Sequence, residues 1–127
     1  MGKEKNFEKR IKDFLTEQNC WFIKYWGGGE FTQAGTPDIL CCCEGRFVAI
    51  EVKAPNGKPT LLQCKKLKKI DKAFGFSILL YPKDFEAFKN MILCIKASDD
   101  RNAGLNYEAI LKPVWTEWLN KLEGMED

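Results

Sequence analysis

The stretch from Thr36 to Lys53, TPDILCCCEGRFVAIEVK, decides the fold. It contains two largely apolar runs, 38–43 and 47–53, on either side of a short polar segment at 44–46 that includes a glycine. Apolar runs of this length around a glycine-containing turn predict the two strands of a β-hairpin. The hairpin would bring the start of the first strand close to the end of the second.

Side chains alternate between the two faces of a strand, and this alternation sorts the second run. One face carries Val48, Ile50 and Val52, and the other carries Phe47, Ala49, Glu51 and Lys53. Glu51 and Lys53 therefore project side by side, and burying two such charges is costly unless they pair or bind a ligand. The hairpin places Asp38, at the start of its first strand, beside them.

Asp38 and Glu51 together offer two carboxylates from adjacent strands, a hard-oxygen site that suits Mg²⁺ or Mn²⁺. Phosphodiester hydrolysis needs a deprotonated water, and a bound metal lowers the pKa of its water. It also needs positive charge where negative charge develops on the phosphate, and Lys53 can supply that charge. Taken singly, Asp38 could be a turn carboxylate, and Glu51 with Lys53 could be an exposed ion pair.

Composition limits the chemistry to these residue types. The chain has 127 residues, 45% of them hydrophobic, which predicts one globular domain spanning residues 1–127. It contains no histidine, which excludes a Ser-His-Asp triad, a Cys-His pair and histidine-ligated zinc. The net charge of +2 does not decide for or against a nucleic-acid partner.

The location of the protein is predicted from the absence of long apolar segments. The longest apolar runs, such as 76–81, are too short to cross a bilayer, and the N-terminal residues lack the apolar core of a signal peptide. We therefore expect a cytoplasmic protein with no membrane association. The six cysteines, three of them consecutive, are then expected to be small buried hydrophobic residues in a reducing compartment.

The remaining elements follow from periodicity and from turn residues. We expect helices at 6–18, 60–74, 83–92 and 107–122, strands at 21–26, 38–43, 47–53 and 76–81, and a loop at 97–106. Gly75 is expected as the glycine that ends the second helix, and Pro113 near a helix start or kink. The order is α-β-β-β-α-β followed by helices, with a core of about 6–92 and a C-terminal helical extension of about 93–127.

Two helices carry further candidate site residues. Glu8 borders the apolar stripe of the first helix, as either a site residue or an ordinary charge at the edge of that stripe. Gln63 stands three residues after Thr60, the spacing of a capping box, and could serve only as a cap. It also shares an inward-facing stripe with Leu67, Ile70 and Phe74, which favours a role in the site.

The second helix is also rich in lysine. Its outer face carries Lys65, Lys68, Lys69 and Lys72. These side chains are either a solvated face or contacts to DNA phosphates. Trp26 and Phe31, which flank the glycine-rich loop, could stack on bases, although core packing is favoured for Trp26. Trp115 and Trp118 are expected in the core or at a dimer interface.

With these residues in place, the sequence resembles a known nuclease superfamily. Pro37-Asp38 followed by Glu51-Val52-Lys53 is similar to the PD-(D/E)xK signature. The segments GTPDIL at 35–40, IEVK at 50–53 and TLLQ at 60–63 resemble the VRR-NUC branch, which includes small phage-type nucleases similar to Holliday junction resolvases. The resemblance covers about residues 7 to 92.

The resemblance implies an α/β fold with a restriction-endonuclease-like core and a mixed central sheet flanked by helices. It implies that Asp38, Glu51 and the carbonyl of Val52 bind Mg²⁺ or Mn²⁺, with Glu8 as a further acidic ligand. Lys53 would be the catalytic lysine, and Gln63 would lie near the metal or the substrate.

The implied activity is a metal-dependent DNA endonuclease acting on branched or otherwise structured DNA. No small-molecule cofactor is expected, and a two-fold substrate would suit a homodimer. The rival interpretations are a sequence-specific restriction-type endonuclease, a non-catalytic DNA-binding protein on the same fold, and a protein-interaction module. The last would have no use for the cluster of Asp38, Glu51 and Lys53.

Overall fold

The structure is a computed structural model that describes residues 2–27 and 32–125. Its helices are α1 (Lys3–Glu17), α2 (Leu61–Lys72), α3 (Phe85–Lys96), α4 (Asp100–Asn106) and α5 (Lys112–Gly124). Its strands are β1 (Trp21–Lys24), β2 (Ile39–Cys43), β3 (Arg46–Val52) and β4 (Phe76–Leu80). A 3₁₀ turn (Pro82–Asp84) leads into α3, and a π-helical turn (Tyr107–Leu111) joins α4 to α5.

The four strands form one mixed sheet in the order β1-β2-β3-β4. The β1–β2 and β2–β3 pairs are antiparallel, whereas β3 and β4 are parallel, with α2 as the crossover between them. This arrangement confirms the predicted mixed α/β fold and its αβββαβ order. It is consistent with a restriction-endonuclease-like core.

The β2–β3 hairpin has the predicted turn and register. Cys43 pairs with Arg46, so Glu44 and Gly45 alone form the loop. Both have positive φ, 48° and 78°, as a two-residue type I′ hairpin turn requires. At the other end of the hairpin Ile39 pairs with Ile50, which places Asp38 directly across from Glu51.

The sheet separates two apolar clusters, so its faces are sorted as the strand alternation predicts. One cluster joins β2, β3 and β4 to α1, α3 and the π-helical turn through residues that include Ile11, Val48, Ile50, Val52 and Phe88. The other joins β4 to α2 and α5 through Cys64, Leu67, Leu79, Tyr81, Trp115 and Leu119. Glu51 lies on the α2 side, at the margin of the smaller cluster.

The predicted loop at 97–106 is wrong, because the segment contains helix α4. Asp99 caps this helix by accepting a hydrogen bond from the backbone N–H of Asn102. Ala103 is buried in the larger cluster, and Tyr107 follows it there. The polar composition of the segment concealed a helix that a few buried residues and one cap hold in place.

The end of α2 also differs from the prediction. The helix stops at Lys72, and it is Phe74, with φ of 70°, rather than Gly75 that adopts the left-handed conformation. Gly75 packs closely against Ile70 instead. A Cβ at this position would lie 2.8 Å from a side-chain carbon of Ile70. Phe74 is 95% exposed, so it does not belong to the inward stripe of Gln63 and Leu67.

The prediction of buried cysteines is confirmed for four of the six. Cys20, Cys41, Cys43 and Cys64 are buried, and Cys94 is half-buried. Cys42 is exposed, contrary to the prediction, because it pairs with the exposed Trp21 on the outer face of the sheet edge. Trp115 is buried in the core, and Pro113 lies in the first turn of α5, as predicted.

No helix in the described part of the chain is long and apolar enough to cross a membrane.

The helices beyond α3 pack onto the core, since α5 contacts both α2 and β4. The extent of the domain, 1–127, stays a prediction.

Candidate active site

Asp38 holds the ends of three strands together. Its Oδ2 accepts a hydrogen bond from the backbone N–H of Val52 at 2.8 Å, and its backbone carbonyl accepts one from Tyr25, also at 2.8 Å. The carboxylate is therefore held by the neighbouring strand while Oδ1 faces Lys24, whose Nζ lies 3.5 Å away. The side chain is about a quarter exposed, so solvent and a ligand can reach it.

Glu51 is the buried member of the pair, with only 3% of its surface exposed. Its Oε2 accepts a hydrogen bond from Nε2 of Gln63 at 3.1 Å and lies 3.5 Å from Nζ of Lys53. Its Oε1 is buried and has no hydrogen-bond partner among the described residues. Burial, together with the nearby charge of Asp38, raises the pKa of Glu51 to about 8, although Lys53 opposes this rise.

Lys53 directly follows the last residue of β3. Its backbone N–H donates to the carbonyl of Leu80 on β4, which extends the parallel pairing by one residue. Its side chain is only 12% exposed. The backbone of Gly57 lies against it, since a Cβ on that glycine would be 3.3 Å from Cδ of Lys53. The ammonium group is thereby held beside Glu51.

Gln63 caps α2 and also contacts Glu51, so its geometry is compatible with both of the roles that the sequence analysis considered. Its Oε1 accepts a hydrogen bond from the backbone N–H of Thr60, and its backbone N–H donates to Oγ1 of Thr60. This is the complete capping box. Its Nε2 remains available and donates to Glu51. The two roles coexist because an amide has separate acceptor and donor atoms.

Glu8 stands apart from the other two carboxylates. Its Oε1 lies 2.6 Å from Nζ of Lys24, and its Oε2 lies 2.9 Å from Nζ of Lys12. Burial favours the neutral carboxyl, but the hydrogen bonds and charges of the two lysines outweigh it and lower the pKa of Glu8. Glu8 reaches Asp38 only through Lys24, so its role as a metal ligand stays a prediction.

Lys24 is a functional candidate that the sequence analysis missed. Burial lowers its pKa, but the contacts to Glu8 and Asp38 outweigh this effect and raise it, so the ammonium group stays charged. Its Nζ also lies 5.5 Å from the centre of the Trp26 ring. In β1 exposed and half-buried residues alternate, and Lys24 is one of the half-buried residues. The sequence did not show that its ammonium group would contact two carboxylates.

Hydrogen bonds and close packing hold the loop before Asp38 in place. The backbone N–H of Gln33 donates to the Tyr25 hydroxyl, and its side-chain oxygen accepts from Lys66 on α2. Gly35 has φ of 80°, and a Cβ on it would lie 2.8 Å from Cγ of Leu62. Only glycine fits this position without strain. Contacts with α2 therefore fix the loop segment that precedes Asp38 and the start of β2.

The predicted contacts to nucleic acid stay predictions, and the structure shows only where their residues lie. Lys65, Lys68, Lys69 and Lys72 are all exposed on α2, as either interpretation of that face requires. Trp26 is 76% exposed, so the expectation of core packing for it is wrong. The exposed ring lies beside Lys24, and its stacking on a base stays a prediction. Phe31 lies outside the described residues.

The residues present fit a hard divalent cation. The fit rests on the unsatisfied Oε1 of Glu51 and on the closeness of Asp38, whose charge disfavours ionisation of Glu51. A cation between two such carboxylates supplies what the buried oxygen lacks. In the described part of the chain, no group of three acidic, cysteine or histidine side chains could hold a metal, so further ligands would be a backbone carbonyl, such as that of Val52, and solvent.

Comparison with known proteins agrees with this geometry. No curated protein and no solved structure matches the chain. The model of the family described as archaeal Holliday junction resolvase (Hjc) matches residues 1–83, which include α1, all of β1 to β4 and every site residue above. This family is of the PD-(D/E)xK type, as the signature predicts, while the VRR-NUC branch stays a prediction. The chain therefore belongs to the archaeal Holliday junction resolvase (Hjc) family.

Proposed function

We propose that the protein is a metal-dependent endonuclease that hydrolyses phosphodiester bonds in branched DNA of the Holliday junction kind. The observation that carries the proposal is the buried Glu51 carboxylate, with one oxygen unsatisfied and Asp38 and Lys53 beside it. Such an arrangement is costly for folding alone, and two carboxylates with a lysine suit phosphodiester chemistry. The family match supports DNA junctions as the substrate.

Each site residue has a distinct role in this proposal. Asp38, Glu51 and the carbonyl of Val52 would hold Mg²⁺ or Mn²⁺, which when bound supplies Lewis acidity and an activated water. Lys53 balances the negative charge that develops on the phosphate, because its ammonium group is held at the site by Gly57 and Glu51. Gln63 orients Glu51 through its Nε2.

Lys24 positions Asp38 from the other side. Its ammonium group bridges Glu8 and Asp38, so α1 is coupled to the site through one cation. In this arrangement Glu8 acts through Lys24. Direct ligation by Glu8 would require the Glu8–Lys24 pair to open.

DNA reaches the site over positively charged surface. The lysine face of α2, with Lys65, Lys68, Lys69 and Lys72, contacts phosphates without reading the sequence. A four-way junction has two-fold symmetry, and its resolution requires paired cuts, which suits a homodimer. Analytical ultracentrifugation that shows only monomer, with and without junction DNA, would rule out the dimer.

The test is cleavage of a panel of DNA substrates by the full chain in Mg²⁺ or Mn²⁺. The panel comprises a four-way junction, nicked duplex, intact duplex and single-stranded DNA. We expect cuts at the branch point by wild type, and none by Asp38→Asn or by Lys53→Met, which keeps the aliphatic stem. Asp13→Asn is the matched control, because Asp13 is exposed and, within the described residues, forms an ion pair with Lys9 on α1 and no other.

The other outcomes decide between the rival functions. Cuts at the same sites by wild type and Asp38→Asn would show that the site is elsewhere. Discrete, recurrent fragments from linear plasmid DNA would indicate a sequence-specific restriction-type enzyme. Junction binding without cleavage in either metal would indicate a non-catalytic DNA-binding protein.

A further inference from the structure

A second concave surface, called here the C-terminal cleft, has a volume of about 450 Å³. It lies between the loop that follows Lys53, the start of the 3₁₀ turn and the outer side of α5. Its lining includes Gly57, Lys58, Tyr81, Lys83, Trp118 and Lys121. Part of it lies in α5, which is beyond residues 1–83 that match the family. The active site described above does not account for it.

The charge of the C-terminal cleft is predominantly positive. Among the described residues, Lys58, Lys83 and Lys121 line it, against one carboxylate, Glu117. All three lysines are exposed, and none has a carboxylate at ion-pair distance among the described residues. In contrast, Lys89 and Lys96 are neutralised by Glu86 and Glu44 at 2.7 and 2.6 Å. Within the described residues, the cleft therefore offers an anionic ligand three lysines that are not held in close ion pairs.

An aromatic ring lies among these cations. Trp118 is half-buried, with one part packed on the smaller apolar cluster and the rest lining the cleft. Nζ of Lys121 lies 5.0 Å from the centre of its ring. Cations beside an aromatic surface are typical of proteins that bind single nucleic-acid strands, where phosphates meet lysines and bases stack on rings. A phosphate-only ligand would have no use for the ring.

The cleft and the active site lie on either side of Gly57. The hydroxyl of Tyr81 donates to the carbonyl of Gly57 at 2.7 Å, which holds the loop in place. The other side of Gly57 packs on the stem of Lys53. A ligand in the cleft is thus separated from the catalytic ammonium group by one loop residue. A strand whose phosphate lay beside Lys53 would have the cleft on the other side of this residue.

We propose that the C-terminal cleft binds the DNA strand next to the phosphodiester bond that is cut. Lys58, Lys83 and Lys121 contact its phosphates, and Trp118 packs against one of its bases. This inference rests on the proposed nuclease function and adds a strand-binding subsite that α5 completes. The subsite holds one strand on the lysine side of the scissile bond, which favours substrates in which that strand leaves the duplex at a branch point.

The test compares two double variants of equal charge. Lys58→Ala with Lys121→Ala removes two cleft cations, and Lys89→Ala with Lys96→Ala removes two ion-paired cations elsewhere. Affinity for a fluorescent four-way junction is measured by anisotropy in EDTA, where no cutting occurs, over a series of salt concentrations. For loss of two phosphate contacts we expect the slope of log affinity against log salt to fall by about 2 in the cleft variant only.

Cleavage kinetics supply a second readout. The cleft variant should have a higher KM with kcat nearly unchanged, because the lost contacts hold the strand equally before and during reaction. Equal slopes and equal KM in the cleft variant and wild type would overturn the proposal. So would equal losses in both double variants, since these would reflect net charge alone.

The two proposals fail in different ways. Wild type that binds junctions but cuts no DNA contradicts the nuclease function, while the salt series still decides whether the cleft binds DNA. A free nucleotide would offer the same phosphate and base chemistry as a strand, so dAMP is titrated as a separate probe. Saturable dAMP binding that the cleft variant loses, with junction affinity unchanged, would reassign the cleft to nucleotides and overturn the strand proposal.

Discussion

Nε2 of Gln63 donates a hydrogen bond to Oε2 of Glu51 at 3.1 Å while Oε1 of the same amide accepts the backbone N–H of Thr60. One side chain thus joins the start of α2 to the buried carboxylate of β3. The hydrogen bond from Thr60 holds the Gln63 amide in one orientation, and in this orientation its Nε2 points toward Glu51. Stability of the helix end and the position of Glu51 are thereby coupled, and variants can separate the two effects.

Gln63→Ala should lower both stability and cleavage, whereas Thr60→Ala should lower mainly stability. Each variant breaks the capping box, at a cost of about 1 kcal/mol. Only Gln63→Ala also removes the hydrogen bond to Glu51. Thermal unfolding and junction cleavage rates measured on both variants check this. Equal cleavage by the two would limit Gln63 to capping.

Lys24→Ala should reduce cleavage by about 10- to 100-fold, the usual effect of losing a group that orients a metal ligand. Lys24 is the only bridge between Glu8 and Asp38 among the described residues. Lys12→Ala is the matched control, since Lys12 also pairs with Glu8 but not with Asp38. Single-turnover cleavage rates at saturating protein separate a slower reaction from weaker DNA binding. If both variants cut at similar rates, Lys24 does not position Asp38.

Gly35→Ala should destabilise the protein by more than about 1 kcal/mol, because alanine disfavours φ of 80° and its Cβ would meet Leu62. Gly27→Ala should have little effect, since a Cβ there has no neighbour within 4 Å among the described residues. Chemical denaturation of both variants gives the difference. Adding Leu62→Ala to Gly35→Ala should recover only part of the loss, because it removes the collision but leaves the strained backbone. Full recovery would show that φ contributes nothing.

The metal-free protein should lose stability as the pH rises from 5 to 8.5. The pKa of Glu51 is about 8 in the folded protein and near its ordinary value of 4.5 in the unfolded chain. Between these values the unfolded chain gives up the proton first, so folding becomes less favourable and the loss is complete above about pH 8. Glu51→Gln cannot ionise, so its melting temperature in EDTA should fall less over this range. Parallel curves for the two proteins would contradict the raised pKa.

The sequence determined most of the local elements and the side chains that come together at the candidate site. Strand alternation in 47–53 placed Glu51 and Lys53 on one face, and the hairpin placed Asp38 across from Glu51, as the register shows. These predictions succeeded because side-chain direction in a strand and pairing across a two-residue turn are local properties. The spacing of Thr60 and Gln63 likewise predicted the capping box.

Only the tertiary structure decided which distant groups meet. The bridge from Glu8 through Lys24 to Asp38 joins a helix and two strands, so no local pattern predicts it. Phe74 rather than Gly75 adopts the left-handed conformation, and Gly75 packs closely against Ile70 and Phe47, where a Cβ would not fit. Helix α4 forms where Ala103 and the following Tyr107 pack into the larger cluster, and the C-terminal cleft exists because α5 packs beside the loop after Lys53. Contacts between residues far apart in the chain depend on packing, which a pattern of neighbouring residues does not contain.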